Sequence, residues 1–341
     1  MINIGIIGMG RIGRVHMESI CTSVPEAKVV AIADPYLTSE TETLALEKYK
    51  VLNAYKDYKK ILSDDSIDAV VICSSTDTHS AISIEALKAG KHVMCEKPID
   101  TDYKRIIKVV EAVKENSHLK FQVGFNRRFD HNFMALKEQS KNLGAIHIIK
   151  ITSRDPAPPP IEYIKVSGGL FNDMMIHDLD MVRFLSSSEV EEVHVYGGAL
   201  VDKRIGEAGD IDTAIVSMKL SSGAFAVIDN SRQAVYGYDQ RAEVFCANGM
   251  VCSENDAPST VKVVTSSGVN SEKPLHFFLD RYMQAYAKEL KCFVEAIIND
   301  TPTICNETDG LKPFLIAKAC AKSLLESRPV TIAEIEEELS R

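Results

Sequence analysis

What the chain lacks narrows its use first. It has no basic excess: 39 Lys and Arg stand against 48 Asp and Glu, a net charge of −9 with the acids spread along the sequence. That balance argues against nucleic acid or an anionic membrane as partner. No apolar run approaches the length of a transmembrane helix. No basic-then-apolar leader precedes the first strand pattern, which begins at residue 2, so a cytoplasmic protein is expected. The eight cysteines are scattered and never spaced C-x-x-C, the pattern of buried thiols in a reducing compartment. There is no internal repeat. The one biased segment, Pro156-Ala157-Pro158-Pro159-Pro160, reads as a stiff extended connector. What remains is ordinary soluble-protein composition, 45% apolar and 26% charged, in 341 residues, a length that suits two domains.

The stretch from Met1 to Asp34 organises the rest. Ile2 to Ile7 has the apolar, β-branched composition of a strand buried on both faces of a parallel sheet. It runs into Gly8-Met9-Gly10-Arg11-Ile12-Gly13, a G-x-G-x-x-G turn, then a helical segment from Arg11 to about Ser23. A second strand pattern, Val29 to Ala33, stops at Asp34. Gly8 permits the tight turn, Gly10 lets backbone approach a pyrophosphate, and Gly13 lets the helix pack closely. The helix N-terminus offers N–H groups and a partial positive charge to phosphates. Asp34, 21 residues beyond Gly13, stands where a carboxylate binds the adenosine ribose hydroxyls. Pro35-Tyr36-Leu37 supplies no cation for a 2′-phosphate, so the expected cofactor is NAD rather than NADP.

Strand and helix patterns then alternate. Helices are expected over 38–49, 58–62 and 80–89, and another capped by Asp100 or Thr101 runs to about 116. Strands are expected over 67–73, 91–95 and 121–125. The alternation specifies a doubly wound parallel sheet over residues 1–124. Residues 126–142 read as helix. From 146 the pattern turns mostly to strand, at 146–153, 192–201, 212–220, 223–230, 241–247 and 260–265. Residues 125–341 are therefore expected to form an α+β domain with a large, mostly antiparallel sheet. Helices over 280–299 and 309–326 close the chain. Met283, Tyr286, Leu290, Phe293 and Ile297 make an apolar stripe on the first of them.

Two places bring ionisable groups together for a reason. Lys97, in Glu96-Lys97-Pro98, falls at the carboxyl end of a sheet strand, the edge along which ligands bind in open α/β sheets. An ammonium there can stabilise charge developing on a substrate oxygen, or it can be a surface lysine pairing with Glu96. In Gly168-Gly169-Leu170-Phe171-Asn172-Asp173-Met174-Met175-Ile176-His177-Asp178, Asp173 and His177 are four apart and so expected on one helix face. A carboxylate one turn from an imidazole can orient it to accept a proton from an alcohol, although such a pair is also a common structural device. Asp178 and Asp180 point elsewhere on such a helix and no second His or Cys stands nearby, so no metal is expected. The small hydroxyl residues Ser74, Ser75 and Thr76, followed by His79, lie where a cofactor crosses the sheet. Arg127 and Arg128, and the Arg154-Asp155 pair, can bind a polyol or simply pair with each other. Tyr236 and Tyr238 lie in a loop from which a phenol can reach a cleft or be buried.

These motifs together resemble the glucose-fructose oxidoreductase/inositol dehydrogenase/rhizopine catabolism (Gfo/Idh/MocA) family. The carriers are Ile4 to Gly13, Thr76 to His79, Ala89 to Pro98, and Gly168 to Asp178. Thr308-Asp309-Gly310-Leu311 and Ser327-Arg328-Pro329-Val330 extend the likeness to the end of the chain. Within the family, Ser153-Arg154-Asp155-Pro156-Ala157-Pro158 ahead of Tyr163-Ile164 is most like the inositol 2-dehydrogenases. The resemblance implies NAD-dependent oxidation of a cyclic polyol, myo-inositol to its 2-keto product, with Lys97, Asp173 and His177 as the catalytic set. It places cofactor contacts at the Gly8–Gly13 turn with Arg11 and Ile12, at Asp34, at Ser74, Ser75, Thr76 and His79, and at Glu96 and Lys97. Substrate contacts are expected from Lys97, Arg127, Asp155 and Asn172, and from Asp173, His177, Tyr236 and Tyr238. A homotetramer built through the second domain's sheet is also implied. The family's usual Thr-Pro-Asn-x-x-His is here Ser74-Ser75-Thr76-Asp77-Thr78-His79; backbone contacts to the cofactor are expected to survive this, whereas side-chain contacts from 75 and 76 cannot simply be copied across. Another inositol isomer or a sugar as substrate, or an NAD-binding sensor without catalysis, are the competing readings.

Overall fold

The computed structural model describes residues 1–341. The chain divides into two compact units, Met1–Phe129 with Met283–Lys312, and Asp130–Tyr282 with Pro313–Arg341. No helix is long and apolar enough to cross a membrane.

The first unit is built on six parallel strands: β1 (Ile2–Ile7), β2 (Ala27–Ala33), β3 (Asn53–Tyr55), β4 (Ala69–Ile72), β5 (His92–Glu96) and β6 (Phe121–Gly124). Their order, β3-β2-β1-β4-β5-β6, reverses direction between β1 and β4, the switch point at which open α/β sheets bind ligands. The sheet is dry on both sides. Ile4, Ile6, Val29, Ile32, Val71 and Met94 pack with Met17 and Ile20 of the helix Arg11–Ser23. Leu290, Phe293 and Val294, from the helix Phe278–Ile298, complete that core. Each side chain removed from water in this way contributes about 1.5–3 kcal/mol. The expected stripe on the latter helix is realised at Tyr286, Leu290 and Phe293, whereas Met283 is only half-buried.

Some boundaries differ from the sequence reading, each for a local reason. The helix expected over 38–49 is an α-turn, Ser39–Thr43, followed by a π-helical turn, Leu44–Lys48. The helix Tyr103–Glu115 is capped by Asp102, not by Asp100 or Thr101. Asp100 is otherwise engaged, accepting from Ser80 Oγ at 2.5 Å and from the Thr101 and Asp102 N–H groups at 2.7 and 3.0 Å. The single helix expected over 126–142 is a 3₁₀ turn, Asn126–Phe129, and a separate helix, His131–Ser140. Asp130 starts the second piece by accepting from the N–H groups of Asn132 and Phe133.

The second unit contains β7 (Ile146–Arg154), β8 (Val190–Gly198), β9 (Thr213–Leu220), β10 (Phe225–Ser231), β11 (Asp239–Cys246) and β12 (Gly249–Ser253). β13 (Lys262–Thr265) and β14 (Gly268–Ser271) form a separate hairpin, and β15 (Val330–Thr331) adds a short edge. The seven-stranded sheet has the order β12-β11-β7-β10-β9-β8-β15. Every pairing is antiparallel except β7 with β10, so the sheet is mixed but mostly antiparallel. Period-two alternation sorts its faces. One inner row, Val195–Val216–Ile228–Ile151–Ala242, is in register across five strands and buried. On the opposite face Phe225, Ile148, Phe245 and Met250 are in register across β10, β7, β11 and β12. Phe225, Phe245 and Met250 of that row are exposed at 56%, 43% and 50%.

Candidate functional site

In the first unit the sequence folds into a tight glycine turn between β1 and the helix Arg11–Ser23. Gly8 has φ +93°, and a Cβ there would lie 2.4 Å from Ser74 N, so only glycine lets β1 pass this close to the end of β4. A Cβ at Gly13 would lie 1.9 Å from Gly8 O, which fixes how tightly the helix folds back on the turn. Gly10 differs: a Cβ there meets nothing within 4 Å, leaving open space over the turn. The helix begins at Arg11 with no side-chain cap and no acidic residue in its first turn, so its leading N–H groups face that space uncompensated. Ile12 is half-buried behind Arg11, which is exposed. Asp34 Oδ2 accepts from Met9 N–H at 2.7 Å and Oδ1 from Tyr36 N–H at 2.7 Å, tying the end of β2 to the turn. Open space, free helix N–H groups and a carboxylate with no adjacent cation suit a dinucleotide with a free ribose 2′-hydroxyl.

The other residues expected on the cofactor side lie at the ends of β4 and β5. The helix expected from Ser80 starts a turn earlier, at Thr76, with Ser75 as its cap residue. Ser74 and Ser75 therefore form the loop, while Thr76 and His79 sit in the first turn. Ser74 Oγ lies 2.7 Å from Thr78 Oγ1, which donates to Ser75 O. The His79 ring is buried, Nδ1 at 2.9 Å from Pro98 O and Nε2 at 3.0 Å from Ser74 O. Both nitrogens thus face protein carbonyls. Lys97 is half-buried in a turn with a cis Lys97–Pro98 peptide. Its N–H donates to Glu96 Oε2 at 3.2 Å, and Glu96 Oε1 lies 2.7 Å from buried His16 Nε2. Glu96 is 9% exposed and points into the first unit, into space that Gly124 leaves: a Cβ at 124 would be 3.0 Å from its carboxylate.

Behind Glu96 stands Glu289, which the sequence reading did not single out. Its carboxylate is fully buried with no hydrogen-bond partner, and its backbone carbonyl accepts from Gln122 Nε2 at 3.1 Å. Burial first, and the charge of Glu96 second, hold this carboxyl well above the ordinary glutamate range. A carboxyl raised on folding stabilises the native state below its unfolded pKa, about 4.3, and that stability is lost as pH rises through the folded value. Glu289→Gln, neutral at all pH, should therefore gain stability relative to the parent as pH rises. Denaturant midpoints measured at acid and alkaline pH check this; parallel pH dependences for the two proteins would contradict it.

In the second unit the run after Ile161–Ser167 is turned by two left-handed glycines, Gly168 at φ +87° and Gly169 at φ +81°. The single helix expected to carry both Asp173 and His177 is two. Asp173 ends the helix Gly169–Asp173 and His177 begins the next, Ile176–Ser186. The physical reason is that Leu170, Phe171, Met174, Met175 and Ile176 are all buried. One straight helix would spread these over most of its circumference, so the chain breaks at Met174–Met175, where both N–H groups bond Leu170 O. Asp173 is held at both oxygens: Oδ1 accepts from Tyr163 Oη at 2.8 Å and Oδ2 from Arg232 Nη1 at 3.4 Å. The Arg232 side chain is 1% exposed and also faces Asp210 at 3.6 Å. Asp210 Oδ1 accepts from Leu170 N–H at 3.0 Å, locking the start of the Asp173 helix. His177 is half-buried, and Asn172 Nδ2 donates to Gly168 O at 2.9 Å. Asp178 turns instead to Asn230, at 3.0 Å, and Asp180 lies 3.9 Å from Arg183.

The softer candidates separate. Arg127 is buried within the first unit, and Arg128 bonds Ile304 O and Asp309. Arg154 pairs with Asp229 and with Tyr236 Oη, and Tyr236 donates to Asp239 Oδ2 at 2.6 Å. Tyr238 is 7% exposed and packs edge-on against Tyr282. Asp155 is half-buried.

A doubly wound nucleotide-binding unit with an uncapped glycine turn, joined to a mixed-sheet unit, defines a dinucleotide-dependent oxidoreductase architecture. Residues 2–125 match the family model described as oxidoreductase family, NAD-binding Rossmann fold. Residues 136–252 match the GFO/IDH/MocA C-terminal domain. The chain belongs to the Gfo/Idh/MocA family and is an NAD-dependent oxidoreductase. It is 45% identical over 337 residues to the myo-inositol 2-dehydrogenase of Thermotoga maritima, covering 97% of this chain and 99% of that protein. It is 33% identical to the NAD-dependent scyllo-inositol 2-dehydrogenase of Bacillus subtilis, covering 96% and 95%. The crystal structure of a probable dehydrogenase from Thermotoga maritima superposes with a TM-score of 0.94 at 45% identity, covering 98% and 100%.

Proposed function

We propose that the protein oxidises myo-inositol at one secondary hydroxyl, giving 2-keto-myo-inositol (scyllo-inosose) and NADH. The observation that carries this is the end-to-end likeness to the Thermotoga maritima enzyme of that name. When bound, NAD supplies the hydride acceptor, nicotinamide C4. His177 takes the hydroxyl proton as general base. Asp173 orients the imidazole and stabilises the imidazolium that forms, and Tyr163 and Arg232 hold its carboxylate still for the purpose. Lys97 stabilises the alkoxide as it develops. Asn172 and Asp155 supply polar contacts to the remaining hydroxyls. One proton goes to His177 and one hydride to the cofactor, so the carbon is oxidised by two electrons.

Initial-rate NADH formation with NAD and a panel of myo-, scyllo- and D-chiro-inositol, glucose and no polyol tests this directly. Turnover should be greatest with myo-inositol. Greater turnover with scyllo-inositol would favour the second reading, which the Bacillus subtilis relative supports. Silence across the panel, with NAD bound, would remove both.

We also propose that the outer face of the β7–β12 sheet is the contact surface of a homotetramer. A contiguous apolar row of this kind marks an interaction site on a soluble protein, and its flank carries the Lys150–Glu243 pair. Phe225→Asp with Phe245→Asp should convert a tetramer to smaller species by light scattering. A parent protein that is monomeric at all concentrations would sink the proposal.

A further inference from the structure

The peptide run that carries Lys97 is gripped at two points, and one of them places a demand on its partner. Glu96 accepts from the Lys97 N–H on one side; on the other the Pro98 carbonyl faces His79 Nδ1 at 2.9 Å. The second ring nitrogen, Nε2, faces Ser74 O at 3.0 Å. A backbone carbonyl oxygen can only accept, so each contact needs an N–H on the ring, and a neutral imidazole has one. The ring is 2% exposed, so water cannot be called on to separate a bare nitrogen from the oxygen it faces.

We propose that His79 is an imidazolium whose two N–H groups tie the turn after β4 to the turn carrying Lys97, making it a positioning residue for Lys97. The positioning half of this rests on the role given to Lys97 above; the charge does not. Burial acts against a cation here, and so does the helix dipole, since His79 lies in the first turn of Thr76–Lys88. The groups packed around the ring prevail. Burial alone would push the imidazole down; the neighbouring Cys95 sulfur and the Pro98 and Ser74 carbonyls that accept from the ring act the other way and raise it. Cys95 approaches from β5, Lys97 stands in the turn itself, and Asp100 lies beyond it, bonded to Ser80 next to His79 in sequence. The arrangement makes mechanical sense. A side chain with one donor can hold one of the two turns; the charged ring holds both, at a fixed separation across its width.

Neutron diffraction from crystals of the whole enzyme at about pH 8, more than a unit above the free imidazole value, reads the charge. Deuterium on both Nδ1 and Nε2 is expected; one bare nitrogen would overturn the assignment. Positioning is read from His79→Gln, whose uncharged amide cannot span both carbonyls. Its kcat, normalised to the sites that bind NAD, should fall roughly 10–100-fold, the scale for a displaced catalytic group, with the Kd for NAD little changed. A merely structural role would reduce the number of binding sites and leave kcat per site intact, which would overturn the positioning claim. Lys97→Met separates the two layers. Full activity there would remove the role of Lys97, and with it the positioning, while the deuterium map still judges the charge on its own.

Discussion

His177→Asn should lower kcat by roughly 10²–10⁴, the range for a lost general base, while binding of NAD is preserved. The substitution keeps a polar side chain of similar reach, so packing beside Met174, Met175 and Ile176 is disturbed little. What is lost is the only atom able to take the hydroxyl proton in the proposed step. The acid limb of the kcat/KM profile should disappear with it, because that limb reports the base in the free enzyme. Arg232→Met provides the companion measurement. It frees Asp173 from its buried cation without touching His177, and it should lower kcat through misplaced orientation rather than through loss of the base. A His177→Asn enzyme within about threefold of the parent kcat would send the proton elsewhere.

The second large effect separates two glycines of one turn. Gly13→Ala puts a Cβ 1.9 Å from Gly8 O, a contact with backbone that no side-chain rotation relieves. Overpacking of this kind costs about 1–3 kcal/mol, so thermal stability and NAD affinity should fall together, the latter roughly 10–100-fold. Gly10→Ala meets nothing within 4 Å. It should leave the melting temperature of the free protein unchanged and still weaken NAD, because the added methyl occupies the space through which a pyrophosphate approaches the helix N–H groups. Calorimetric titration with NAD and thermal melts of both variants decide the matter. Undiminished NAD affinity in Gly10→Ala would show that the turn does not cradle the phosphates.

The glycine turn between the first two strands was legible because its determinants are local: two strand patterns, three glycines at fixed spacing and one acid fall within thirty-four residues. The apolar stripe at Tyr286, Leu290 and Phe293 was legible for the same reason, being a matter of period. Arg232 was not. It follows β10 in an unremarked Ser231-Arg232-Gln233 run, and its partners Asp173 and Asp210 lie 59 and 22 positions away. No window of local pattern joins them. The break at Met174–Met175 escaped because four-residue spacing says that two side chains share a face only if the helix is continuous. Continuity here yields to burying five apolar side chains. His79 shows a third kind of limit. Its presence at the sheet edge could be read, but that both nitrogens turn inward depends on where Ser74 and Pro98 end up. β12 and β15 were missed as short pieces whose pairing partners, not their composition, make them strands.

Asp34 carries a consequence for anyone wishing to retune the enzyme. In the proposed reading its carboxylate is the feature that disfavours a 2′-phosphate, which makes it the obvious position at which to engineer a change of coenzyme. Yet the same two oxygens hold the N–H groups of Met9 and Tyr36. Removing the acceptor oxygens along with the charge thus also unfastens the glycine loop from the second strand, and a replacement chosen only for its electrostatics would trade selectivity against loop order. Evolvability at this position is therefore constrained: the new side chain must accept from Met9 as well as tolerate the phosphate, which points to asparagine, or serine with an arginine introduced near Tyr36, rather than alanine.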